Sequence, residues 1–213
     1  MRIVLPLLAA LLLAACQPSN APVSNGDGTV SVPKSSVEAP SSPNEAPADP
    51  TASAGADNDI VYLDTKDGRI TIRLRPDLAP NHVARIKTLV KQGFYDGIVF
   101  HRVIDGFMAQ TGDPTGTGRG GSDLPDLEAE FSAVPFTRGI LGMARAQSPD
   151  SANSQFFIRF AEGDFLNGKY TVFGEVVDGM YVVDKIRKGD SDANGMVENP
   201  DKIIKMRLKS DAG

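Results

Sequence analysis

Residues 99–121 read Val99-Phe100-His101-Arg102-Val103-Ile104-Asp105-Gly106-Phe107-Met108-Ala109-Gln110-Thr111-Gly112-Asp113-Pro114-Thr115-Gly116-Thr117-Gly118-Arg119-Gly120-Gly121. Two strand-like runs, 99–104 and 107–111, flank Asp105-Gly106, a dipeptide that favours tight turns. The turn gathers one arginine, two large apolar side chains and a glutamine, a set suited to gripping a proline and acting on it without a nucleophile. A strict two-residue turn would place Arg102 opposite Ala109 and leave Gln110 facing the other way. Bringing Arg102 and Gln110 together requires a longer turn or bulge, which is predicted at residues 104–107.

Upstream of this stretch, 60–64 and 69–74 alternate apolar and polar residues about Lys66-Asp67-Gly68, the pattern of a β-hairpin. Pro76 and Pro80 end the extended run. Ala79, Val83, Ile86 and Val90 then recur at helical spacing, predicting one amphipathic helix that Gly93 terminates, with His82 at its surface. Downstream, strand-like runs follow at 139–144, 155–160, 171–176 and 203–208, and 180–187 reads as a second helix before Gly189. Neighbours on a strand face opposite sides, so Phe156 is assigned to the core and Phe157 to a groove. Many short strands, two helices and no alternating strand–helix rhythm favour a closed antiparallel barrel over a doubly wound sheet.

The length of 213 residues and an ordinary apolar fraction suit one folded unit with a sizeable core. A net charge of −5, without a basic cluster interleaved with aromatics, argues against nucleic acid as a partner. Gly116 to Gly121 formally fits the dinucleotide pattern G-x-G-x-x-G, but Ser122-Asp123-Leu124-Pro125-Asp126 follows, and its proline opposes the helix that pattern needs. Those glycines are expected in a loop hugging the barrel. His82 and His101 are the only histidines and Cys16 the only cysteine, which leaves no clustered set for zinc, and neither a metal nor an organic cofactor is expected. The absence of a G-x-S-x-G elbow argues against a hydrolase built on His101 and Asp105.

The chain opens with Met1-Arg2, an apolar run from Ile3 to Ala15, and Cys16, the layout of a signal peptide too short to span a membrane. Its end, Leu13-Ala14-Ala15-Cys16, is similar to a bacterial lipobox, in which the cysteine is acylated. An unpaired cysteine at that place fits the resemblance, and two or more acyl chains would anchor the protein stably. Residues 17–58 contain no Leu, Ile, Met, Phe or Tyr and are rich in Pro, Ser and Ala. Such a segment cannot bury enough apolar surface to offset its ordering entropy and is expected to be a disordered tether. The expected division is a signal peptide at 1–15, acylated Cys16 and tether at 16–58, and a folded domain at 59–213.

Phe-His-Arg at 100–102, Gly-Phe-Met at 106–108, Gln110, the 112–118 stretch, Gly-Met-Ala at 142–144, Ser-Gln-Phe-Phe-Ile at 154–158 and the 166–176 run together resemble the signature of the cyclophilins, the peptidyl-prolyl cis-trans isomerases. The resemblance covers about 60–208 and implies an eight-stranded antiparallel barrel capped by two helices. It implies isomerase activity on X-Pro bonds of proline-containing polypeptides, with Arg102, Phe107 and Gln110 as the catalytic set. Phe107, Met108, Phe157 and Leu166 match the proline pocket, and Gln110 and Gln155 match positions that hold the arginine and the peptide backbone. His101, Ala144, Arg145 and Ala146 match the rest of the groove, where an extended substrate would bond to main chain. Arg145 departs from the Asn common in the family, while Phe165 and Tyr170 stand where many members carry Trp and His at the substrate site. With the lipobox, the expectation is a monomer anchored through Cys16 in the cell envelope. Its place would be the periplasmic side, with the outer membrane favoured by Gln17, or the outer face of the cytoplasmic membrane. Its substrates would be exported proteins.

Overall fold

A computed structural model describes residues 57–212. The expected signal peptide, Cys16 and all but the last residues of the expected tether lie outside them. Among the described residues no helix is long and apolar enough to cross a membrane.

The alternation at the start of the domain forms β1 (Ile60–Thr65) and β2 (Gly68–Leu74), paired antiparallel with Thr65 opposite Gly68. Val61, Leu63, Ile70, Ile72 and Leu74 all point into one interior. Helix α1 (Pro80–Lys91) follows, with proline in its first turn and no capping side chain from Ala79. Its orphan N–H groups are met from a distance, because the Glu130 carboxylate accepts from the amides of Asn81 (3.2 Å) and His82 (3.1 Å). His82, expected at the surface, is fully buried. It lies on the helix stripe of Val83, Ile86, Leu89 and Val90, and its Nδ1 meets Glu130 Oε2 at 2.6 Å, which gives the polar ring a partner inside.

The remaining elements are β3 (Arg102–Ile104), β4 (Met108–Thr111), β5 (Ile140–Met143), β6 (Phe156–Arg159), β7 (Val172–Asp178), α2 (Met180–Lys185) and β8 (Lys205–Leu208). All eight strand-like runs and both helices of the sequence reading are present, most of them shorter than expected. The strands form one antiparallel sheet in the order β3-β4-β6-β5-β7-β2-β1-β8.

The expected closed barrel is not what forms. Strands β3 and β8 are the two edges of an open half-barrel, and no ladder joins them. Between them run residues 97–103 and 189–203, tied by single bonds such as Gly97 N–H to Ile203 O (2.8 Å), Phe100 N–H to Asp201 O (2.8 Å) and Val103 N–H to Gly195 O (2.8 Å). Asn194, Gly195 and Asn199 all have positive φ, and Pro200 has no N–H to donate, so this segment turns repeatedly and cannot extend into the missing ladder.

The sheet has two apolar faces. The interior cluster takes Val103, Ala109, Leu141, Met143, Phe156, Ile158 and Phe173 together with the buried side of both helices. A smaller cluster of Met108, Phe136, Ile140, Phe157, Leu166 and Val172 sits on the other face. The period of two in each strand sends alternate residues to the two clusters.

Candidate active site

The turn between β3 and β4 decides which side chains meet on the outer face. Phe107 N–H donates to Ile104 O at 3.0 Å, and Gly106 has φ +67°, the type II form that glycine accommodates. Phe107 is thereby an extra residue in the connection, and the register becomes Ile104 opposite Met108, Val103 opposite Ala109 and Arg102 opposite Gln110. This is the lengthened turn that the 104–107 reading required.

Arg102 is held from two sides. Its Nη1 donates to Gln110 Oε1 (3.2 Å), while its Nε and Nη2 donate to the backbone oxygen (2.9 Å) and Oδ1 (3.0 Å) of Asn194. Gln110 Nε2 donates in turn to Gln155 Oε1 (2.9 Å), and Gln155 Nε2 to the carbonyls of Gly118 (3.1 Å) and Gly120 (2.8 Å). Burial lowers the pKa of the guanidinium from its ordinary value, yet an arginine remains charged in any protein site.

The Gly-rich loop at the far end of this relay is organised by Asp113, which is buried. Its carboxylate accepts from the Thr115 amide (2.7 Å), the Thr115 hydroxyl (2.8 Å) and the Gly118 amide (2.6 Å). Burial by itself would raise the carboxyl pKa, but the donors of Thr115, Gly120 and Gly118 outweigh it and hold it down at about 2. Leu124-Pro125 and its neighbours form no helix, so the glycines are a loop, as their sequence context indicated.

Beside Arg102 opens a cavity of about 120 Å³ lined by Phe107, Met108, Gln110, Ala144, Arg145, Phe157, Leu166 and Tyr170. Its floor is Phe157, stacked on Phe136 with centroids 5.7 Å apart. Gly142 makes that stack possible, because a Cβ there would stand 2.5 Å from Phe157 Cζ and 2.6 Å from Phe136 Cε1. Tyr170 meets Phe157 edge-on at 5.9 Å, and the Arg145 guanidinium covers the outer ring at 4.6 Å. The Arg145 side chain donates to the carbonyls of Ala146, Gln147 and Lys169, strapping the loop. A wider groove of about 530 Å³ shares Gln110, Ala144 and Arg145 with the cavity and continues past Ala146, Gln155 and the Gly-rich loop.

Two expected site residues, His101 and Phe165, lie outside both spaces. His101 lines neither space: it is 2% exposed and packed under Gly118, and burial depresses its pKa. The turn that brings Arg102 to the outer face sends its neighbour inward. Phe165 does not line the cavity either, and stands exposed beside it, stacked on Phe107 at 5.5 Å. Ala144 and Ala146 do line the wider groove, and their amides donate within the protein, to Gln155 O (2.9 Å) and Ser151 Oγ (2.9 Å).

Asn194, Phe136 and Arg159 line neither space but touch residues that do, Arg102, Phe157 and Phe107 in turn, and the sequence reading does not single them out. A charge inside the apolar 156–160 run was the available signal for Arg159. Asn194 lies 92 positions beyond the arginine it holds, and no local pattern marks it.

Residues 60–208 match the family described as "Cyclophilin type peptidyl-prolyl cis-trans isomerase/CLD". A "Probable peptidyl-prolyl cis-trans isomerase" of Brucella suis is 58% identical over 172 residues, covering 76% of this chain and 88% of the relative. "Peptidyl-prolyl cis-trans isomerase ppi1" of Schizosaccharomyces pombe is 44% identical over 149 residues, 68% of this chain and 96% of the relative. Among solved structures, a cyclophilin-type isomerase of Cryptosporidium parvum, crystallised in the presence of the dipeptide Ala-Pro, has a TM-score of 0.64 at 30% identity, covering 70% of this chain and 98% of that one.

Proposed function

The chain belongs to the cyclophilin-type peptidyl-prolyl cis-trans isomerase family and is an enzyme of that class, and we propose that it isomerises X-Pro bonds of exported polypeptides from a lipid anchor in the cell envelope. The reaction breaks no bond. Rotation about X-Pro is opposed by amide resonance, a barrier of ~18–20 kcal/mol, so a catalyst need only bind the twisted amide better than either planar form. In the twisted state the nitrogen regains a lone pair, which a fixed guanidinium can meet with N–H donors. Phe107, Met108, Phe157 and Leu166 would bury the pyrrolidine ring, and Arg102 would sit over the amide.

The observation that carries this reading is the position of Arg102, a charged group braced by Gln110 and Asn194 on the wall of a small cavity that it shares with Phe107, Met108, Phe157 and Leu166. Loss of one preorganised donor is worth about 10²–10³ in rate, or about 2.7–4 kcal/mol. Arg102→Ala in the full-length protein should lower kcat/KM by that factor in a coupled proline-peptide assay, with the thermal midpoint nearly unchanged. A folded variant with near-normal turnover would sink the mechanism and leave a proline-binding module.

The envelope location is supported by Leu13-Ala14-Ala15-Cys16 after an apolar run and by the absence of another cysteine. Cys16→Ser should abolish processing at that site or release a soluble form. Detergent-phase partitioning that ignores the substitution would exclude the anchor.

A further inference from the structure

Strand β6 ends in Arg159, which is only 1% exposed. Its Nε donates to Ala161 O (3.2 Å) and its Nη2 to Glu162 O (2.8 Å), while Nη1 has no partner among the described residues. Burial alone lowers its pKa, with no carboxylate acting against it. An uncompensated buried cation is costly, and an apolar side chain of similar volume would fill the same space without that cost. Packing therefore does not account for an arginine here.

What the charge faces is aromatic. The guanidinium carbon stands 4.4 Å from the Phe107 centroid and 5.9 Å from that of Phe165, and the two centroids are 5.5 Å apart. The cation thus lies close against Phe107 and reaches Phe165 only at the outer limit of a cation–π contact. Phe107 belongs to the turn and not to a strand, so its own backbone neighbours give the ring little lateral support. Phe165 is exposed and has Phe107 and Arg159 as its aromatic and cationic contacts. The Ala161–Gly163 stretch wraps the guanidinium so closely that a Cβ on Gly163 would overlap Nη2.

We propose that Arg159 is a positioning residue of the isomerase site, holding Phe107, with Phe165 stacked against it, as a rigid wall for the substrate proline. The inference rests on the reading of the Arg102 cavity as the proline site. Arg159→Met removes the charge while keeping an apolar filler. In the full-length protein it should raise KM for an Ala-Pro peptide about tenfold, the scale of a desolvated cation–π contact, with kcat within about twofold. The thermal midpoint should hold or rise. Contacts between the Phe107 and Phe165 rings in nuclear Overhauser spectra should disappear. In a Phe107→Leu background the same substitution should change KM by less than about twofold, since residues acting through one another are not additive. Gly163→Ala displaces the guanidinium without removing it and should raise KM in the same direction, which keeps the test sharp if the Met variant folds poorly. Unchanged KM with ring contacts retained, or equal losses with and without Phe107, would overturn the role of Arg159 alone. A wild-type protein that neither binds nor turns over proline peptides would overturn the proposed function instead.

Discussion

Strand β6 sends Phe156 and Ile158 to the interior and Phe157 and Arg159 to the outer face, and the two pairs keep different company. Phe156 packs edge-on against Tyr95 (5.6 Å) and Phe173 (5.8 Å) within the large apolar cluster. Phe157 stacks on Phe136 through the gap left by Gly142, within a smaller cluster bordered by Arg102 and Gln110. Inside, volume and apolarity suffice, and many substitutions of equal size would serve. Outside, side chains are held by particular atoms at particular distances, and the face is correspondingly intolerant of small displacements.

The largest expected contrast comes from removing each phenylalanine. Phe156→Ala should cost about 3–5 kcal/mol in denaturant melts and leave KM of the remaining folded protein unchanged. Phe157→Ala should cost less stability, because its ring already borders a cavity, and should raise KM. Equal KM effects would erase the distinction between the faces. Acid titration tests the loop that ends the outer relay. Asp113 titrates at about 2 in the fold against an unfolded value near 3.9, so its contribution is complete above about pH 4 and fades as pH falls through that window towards 2. The stability advantage of wild type over Asp113→Asn should therefore shrink from about 2 kcal/mol at pH 6 to a small remainder at pH 2 and vanish below it. An advantage independent of pH would show that the carboxylate charge is not what orders the loop. A similar cost is expected at Gly142→Ala, where overpacking typically costs about 1–3 kcal/mol. Here the added methyl must push Phe136 or Phe157, so KM should rise as well, and loss of stability without a change in KM would mean that only Phe136 yields.

Alternation and helical spacing revealed the strands, both helices and the split between Phe156 and Phe157, because those signals lie within a few residues of one another. The motif at 99–121 and the need for a longer turn pointed to Arg102 opposite Gln110, which the register bears out. What local pattern could not supply were partners far along the chain. His82 reads as a surface residue until Glu130, 48 positions away, gives it a buried acceptor. The open edge between β3 and β8 follows from positive-φ asparagines that no periodicity marks. The motif places His101 beside Arg102 in sequence, but it is buried, as Val103 is, while the side chain of Arg102 reaches the outer face.

The bracing of Arg102 has a consequence for the timing of synthesis. Gln110 emerges eight residues after it, but Gln155 follows Gln110 by 45 positions and Asn194 lies 92 beyond the arginine. At about 5–20 residues per second the guanidinium waits seconds for its last support. A chain that has delivered the whole motif at 99–121 still lacks the atoms that orient its charge, so a ribosome-bound or truncated product ending before residue 194 would carry the signature without the bonds that fix Arg102.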